Sequence, residues 1–149
     1  MVKYKIQEPI TKKEFEEYYL FRWTILRKPL GLSIPSVKDD LENESFHHII
    51  KNENKKIIAV GRVHFINCEN NDIGQIRYMA VEDKYQRMGL GAKILKSLEY
   101  KAIDSNIKKM ILHARENAIC FYENNGYLIK EKSHLLSNKI QHWLMYKNL

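Results

Sequence analysis

The chain has 149 residues, 44% of them hydrophobic and 29% charged, with 6 glycines and 3 prolines; that is enough apolar material for one packed domain over residues 1–149 and too little Gly and Pro for a fibre or a linker. Its net charge of +7 attracts anions, but Lys and Arg are dispersed, without the basic cluster interleaved with aromatics that marks a nucleic-acid binder. No apolar stretch approaches the roughly 18–20 residues of a membrane helix, and Cys68 and Cys120 lack CxxC or Cys/His spacing, so the expectation is a soluble cytoplasmic protein with free thiols and no metal.

In chain order, Tyr4 and Ile6 alternate with polar neighbours and predict a short strand closed by Pro9. Thr11-x-x-Glu14 has the spacing of a capping box, and Phe15, Tyr18, Tyr19 and Trp23 continue at helical spacing to about Arg27. Residues 28–45 hold Pro29, Gly31 and Pro35 and read as a long loop suited to acceptor contacts. Phe46 to Lys51 and Lys56 to Ile66 read as antiparallel strands around a turn at Asn52 to Lys55. A polar loop at 67–72 precedes a third strand, Ile73 to Val81.

The period then changes. Leu90, Ile94, Leu95, Leu98 and Ala102 share one helical stripe. Lys109 to Ala114 reads as a strand, Asn117 to Asn125 as a short helix stopped by Gly126, and 127–131 and 140–146 as closing strands around Ser137-Asn138. The order β-α-β-β-β-α-β-α-β-β predicts a mixed α/β sheet flanked by helices. Strands 73–81 and 109–114 should run parallel through a right-handed crossover, with a ligand crevice at their carboxyl ends.

Between strand and helix lies Gln86-Arg87-Met88-Gly89-Leu90-Gly91-Ala92. The first N–H groups of a helix have no partner inside it, and an anion reaches them where no β-carbon intervenes. Gly89 and Gly91 leave that approach open, while the helix dipole and Arg87 add positive charge. The chemistry suits a pyrophosphate; the competing reading is plain turn chemistry. No Gly-Lys-Ser/Thr follows, as a Walker loop requires, and Ile94 stands where a dinucleotide fingerprint needs its third glycine.

Gln86-x-x-Gly89-x-Gly91-Ala92, preceded by Arg77-Tyr78-Met79-Ala80-Val81 and followed by Asn117-Ala118-Ile119-Cys120-Phe121-Tyr122-Glu123-Asn124-Asn125-Gly126-Tyr127, resembles the GCN5-related N-acetyltransferase (GNAT) superfamily. Ala114 to Ala118 and the strand holding His142 look like its ElaA-type branch. The resemblance implies a partly splayed central sheet and acetyl-CoA as cosubstrate, held by residues 86 to 92 and by the main chain of Met79, Ala80 and Val81. It implies that an N–H from this stretch, that of Met79, stabilises the tetrahedral intermediate, and that Tyr122 protonates the departing thiolate. It implies further cofactor contacts from Asn117 and Arg115, with a departure: the family's asparagine stands farther from its tyrosine, where Arg115 stands here, and Arg115 also reads as a surface partner of Glu116 or Glu123. Asn117 reads equally as a helix cap.

The implied activity is direct acetyl transfer to an amine of a small molecule, peptide or protein; the alternative is a non-catalytic CoA-binding module of the same fold. His47, His48, His142, Glu44 and Glu82 are the base candidates, and each histidine also reads as structural. Arg62 and Arg77, set in apolar strands, need acceptors, and a carboxylate on the acceptor would serve. Cys120 reads as a small buried apolar thiol rather than a nucleophile, and the closing strands offer an edge at which two copies could pair as a homodimer.

Overall fold

A computed structural model describes residues 3–68 and 71–149. The elements are α1 (Lys12–Leu26), β1 (Phe46–Lys51), β2 (Ile57–Cys68), β3 (Asn71–Val81), α2 (Leu90–Asp104), β4 (Lys109–Arg115), α3 (Ile119–Asn124), β5 (Leu128–Leu136) and β6 (Ile140–Asn148). The strands form a mixed sheet in the order β1-β2-β3-β4-β6-β5. β3 and β4 run parallel, as a helical crossover between them requires, and β1/β2, β4/β6 and β5/β6 run antiparallel.

The expected first strand is reduced to a bridge, in which Gln7 and Ile49 exchange backbone hydrogen bonds of 2.9 and 2.8 Å. Pro9 carries no N–H, so the ladder cannot extend past it. Of the residues expected in a loop at 67–72, Asn67 and Cys68 belong to β2 and Asn71 and Asp72 to β3. Residues 69 and 70 of that expected loop, and the side chain of Cys68, lie outside the described residues.

Two compact units make up the chain. The first contains Met1–His64 and Tyr78–Leu98. The capping box at Thr11 and Glu14 starts α1, which buries Tyr18 with Ile49, Ile57, Val60 and Ala80; Phe15, Tyr19, Phe21, Ile25 and Leu26 close over them. On α2, Leu90, Ile94, Leu95 and Leu98 are buried, as their stripe predicts. A β-carbon at Gly61 would lie 2.5 Å from Ile94 Cγ2 and 2.6 Å from Met79 Sδ, so only glycine lets β2 carry this packing.

Residues 28–45 are not the free loop their turn residues predict. Three 3₁₀ turns, Lys28–Leu30, Ile34–Val37 and Glu42–Glu44, are fastened from below. Arg22 and Arg62 are fully buried. Arg22 donates to Val37 O (2.9 Å) and Glu42 Oε1 (2.8 Å), and Arg62 donates to Glu42 Oε2 (2.6 Å) and to both oxygens of Asp39 (2.7 and 2.9 Å). Trp23 Nε1 donates to Leu32 O at 2.8 Å. Two buried cations thus take their acceptors from the segment itself, and moving it would strand them.

The second unit contains Phe65–Arg77 and Glu99–Leu149. Along β4, Met110, Leu112 and Ala114 are buried and alternate with Ile111, His113 and Arg115 on the opposite face. Ser137 and Asn138, with φ of +53° and +55°, form the tight turn between β5 and β6. Edge strand β5 shifts register between Ile129 and Glu131 and between Lys132 and Leu135, irregularities that discourage edge-to-edge pairing. Tyr127 donates to Glu99 Oε2 (2.8 Å), and Lys147 donates to Glu99 Oε1 and Asn125 O (3.0 Å each), which fixes the turn after α3.

Candidate active site

The loop before α2 has the geometry its glycines predict. Lys93 N donates to Gly89 O at 3.0 Å, which places the N–H groups of Leu90, Gly91 and Ala92 ahead of the helical ladder. Gly89 adopts φ +79° with nothing within 4 Å of where a β-carbon would stand. Arg87 also lies in the left-handed region, φ +63°, and Gln86, Arg87, Met88 and Gly89 are all exposed. The result is an open, positively polarised helix mouth able to receive a phosphate. Gln86 Nε2 points back, donating to Val81 O and Asp83 Oδ1 at 3.3 Å each.

The strand leading to this loop is distorted at one residue. The parallel ladder spans Ile73↔Lys109 to Ile76↔Leu112, and soon after it Tyr78 takes φ +57°, an outlier for an aromatic residue within a strand. Such a conformation persists only where its surroundings hold it. Here the guanidinium carbons of Arg22, Arg62 and Arg27 lie 4.2, 5.1 and 5.7 Å from the centre of the Tyr78 ring. Met79 follows directly, with its side chain against Gly61. Beyond Val81, Glu82 N donates to Ile58 O at 2.9 Å, so Met79–Val81 is anchored at both ends.

In the second unit Tyr122 sits on α3, buried, with Phe121 and Tyr127 rings at 5.0 and 5.8 Å. Burial raises its phenol pKa, and the nearby Arg115 charge offsets only part of that rise. The group therefore holds its proton at neutral pH, as an acid must. Arg115 ends β4 and has its own pKa lowered by burial. Asn117 is exposed in the 3₁₀ turn Glu116–Ala118; the cap of α3 is Ala118, so the capping role considered for Asn117 is not realised.

Of the base candidates, His47 has both nitrogens engaged, Nδ1 with the Tyr18 hydroxyl and Nε2 with Glu42 O, each at 2.8 Å. His48 Nδ1 meets Ser97 Oγ at 2.7 Å. Glu44 is exposed, and Glu82 stands 4.0 Å from Lys84. His142 Nδ1 faces Ile140 O at 3.1 Å. Arg62 is corrected outright: its carboxylates are Asp39 and Glu42 of this chain, not those of a ligand. Sequence reasoning missed both partners because acidic residues in a polar segment resemble any solvated loop; arginines set in apolar strands were the available signal. Cys120 is exposed, not buried as expected. Among the described residues no group of three His, Cys, Asp or Glu is placed to hold a metal ion.

Comparison with known proteins bears on the family and the fold. The chain is 26% identical over 137 residues to an uncharacterized N-acetyltransferase, YjcF, of Bacillus subtilis strain 168, covering 92% of this chain and 94% of that protein. Its fold is similar to a GNAT-family acetyltransferase of Staphylococcus aureus Mu50 (TM-score 0.77, 22% identity, 99% of each chain). It is similar also to a chain in the NatC complex bound to Gag peptide and CoA (TM-score 0.80, 17% identity, 99% of each chain). Residues 8–127, from the bridge segment through the exposed helix mouth to the turn after Tyr122, match the acetyltransferase (GNAT) family, and the chain belongs to that family, as an acyltransferase of the N-acetyltransferase type.

Proposed function

We propose that this chain transfers the acetyl group of acetyl-CoA directly to a primary amine of a small molecule, a peptide or a protein. The open helix mouth at Gln86–Ala92 carries the reading: left-handed Gly89, exposed Arg87 and the leading N–H groups of α2 suit the cosubstrate's diphosphate. Main-chain groups of Met79, Ala80 and Val81 would take the pantetheine arm. The Met79 N–H, set by the left-handed turn at Tyr78, would stabilise the oxygen of the tetrahedral intermediate.

The amine nitrogen attacks the thioester carbonyl, the C–S bond breaks, and the sulfur takes the proton of the Tyr122 hydroxyl. The amine releases a proton to water, and the phenol regains one. With its pKa raised by burial, Tyr122 is protonated when the thiolate forms. Arg115 and Asn117 are further contacts to the cosubstrate.

Calorimetry with acetyl-CoA followed by an amine panel, read as release of free CoA thiol, tests this. Binding together with thiol release for at least one amine supports the proposal. Tight binding with no release from any amine would favour a CoA-binding module, and absence of binding would dismiss both.

A further inference from the structure

Five cationic or titratable side chains gather on one face of the second unit. His113 and Arg115 project from β4 on the side away from Met110, Leu112 and Ala114. The register Arg115↔His142 brings His142 of β6 to the same face, since directly opposed residues share a face. His134 of β5 stacks on His142 with ring centres 4.3 Å apart and planes within 18°, and lies 5.4 Å from His113. Arg77 of β3 completes the group, acting on His113.

The neighbouring charges of this cluster press on two of its imidazoles in the same direction. His142 is held down to about 4, chiefly by burial, with the charges of His134, Arg115 and His113 pressing the same way. His113 is lowered by burial first and then by His134 and Arg77. His113 Nδ1 is buried without a hydrogen-bond partner, while His142 Nδ1 faces Ile140 O and leaves Nε2 for another group. Stacked rings hold the nitrogens of His134 and His142 in near-parallel planes, which does not converge them on one metal ion. His134 is exposed, so the cluster opens to solvent there.

We propose that Arg77, His113, Arg115, His134 and His142 form a seat for a carboxylate, so that the preferred acceptor is an amine that carries one; this rests on the acetyl-transfer reading above. The arginines supply charge that does not titrate. An arriving anion reverses the field at the imidazoles, so one of them takes up a proton as the anion binds. The Arg115 charge also acts on Tyr122, which ties the seat to the proposed acid within one unit.

The first test needs neither amine nor thioester. The imidazole resonances are followed by NMR across pH with glutarate and, separately, with uncharged glutaramide. Saturable movement of the His113, His134 and His142 signals with glutarate only, and at least tenfold higher proton affinity at His142, supports the seat. Equal responses to the two compounds, or none, overturn it. The second test compares β-alanine, β-alaninamide and a peptide amide with an acidic side chain as acceptors. The carboxylate-to-amide ratio of kcat/KM should fall at least tenfold in Arg77→Gln and in the exposed variant His134→Gln, both checked for folding by thermal unfolding; an unchanged ratio overturns the proposal. Faster turnover of β-alanine or of the peptide shows whether the carboxylate comes from a small molecule or a chain. If no amine releases CoA thiol, acetyl transfer fails as a function while the ring titration still decides the seat.

Discussion

Glu42→Gln isolates the charge that holds residues 28–45 down. Glu42 accepts from Arg22 at 2.8 Å through one oxygen and from Arg62 at 2.6 Å and Asp39 N at 3.1 Å through the other. Glutamine keeps the volume, so no cavity term enters, but it removes the negative charge between two fully buried guanidinium groups. Breaking a buried pair costs about 3–5 kcal/mol. Arg62 keeps the two oxygens of Asp39, which puts this case at the lower end, about 3 kcal/mol. For a chain of this size that converts to a fall in Tm of about 6–12 °C. Thermal and urea unfolding measure it, beside Lys84→Gln, whose exposed ammonium lies 4.0 Å from Glu82 and whose loss should leave Tm unchanged. A loss below about 1 kcal/mol for Glu42→Gln would refute the claim that this carboxylate satisfies both arginines.

Tyr122→Phe should lower kcat by about one to four orders of magnitude while calorimetry shows acetyl-CoA binding nearly unchanged; equal turnover would remove the acid role. Gly89→Val forces a β-branched residue into φ +79° without a steric neighbour, so acetyl-CoA affinity should fall about tenfold or more, as read by calorimetry, with the core intact. Gly61→Ala drives a β-carbon against Ile94 and Met79 and should cost about 1–3 kcal/mol in urea unfolding. Because His142 binds its proton less readily folded than unfolded, its contribution to stability is present above the ordinary imidazole pKa of about 6.5 and is lost as pH falls toward about 4. Unfolding followed between these limits should show a shallower loss in His142→Gln.

The helices and most strands were legible because each carries a local signal. Thr11 and Glu14 mark a start, the stripe from Leu90 to Ala102 marks a buried face, and Ser137-Asn138 marks a tight turn. The helix mouth was equally legible, since Gly89 and Gly91 act through the backbone next to them. What could not be read depends on partners distant in sequence. Arg62 finds Asp39 and Glu42 across 23 and 20 positions, and nothing local to either acid shows that it faces inward. His134 meets His142 through a hairpin whose register shifts twice, so period-2 counting does not place it. Tyr78 looked like ordinary strand, because its left-handed backbone is held by rings of contacts from α1 and β2 rather than by its neighbours in the chain.

The shared acceptors of Arg22 and Arg62 have a bearing on engineering. A chimera that exchanges residues 28–45 for the equivalent stretch of another acetyltransferase would also exchange Asp39 and Glu42, and would leave two guanidinium groups sealed in a scaffold without counterions. That stretch is therefore better altered by single replacements at its exposed positions, with both acids retained, than by grafting it whole.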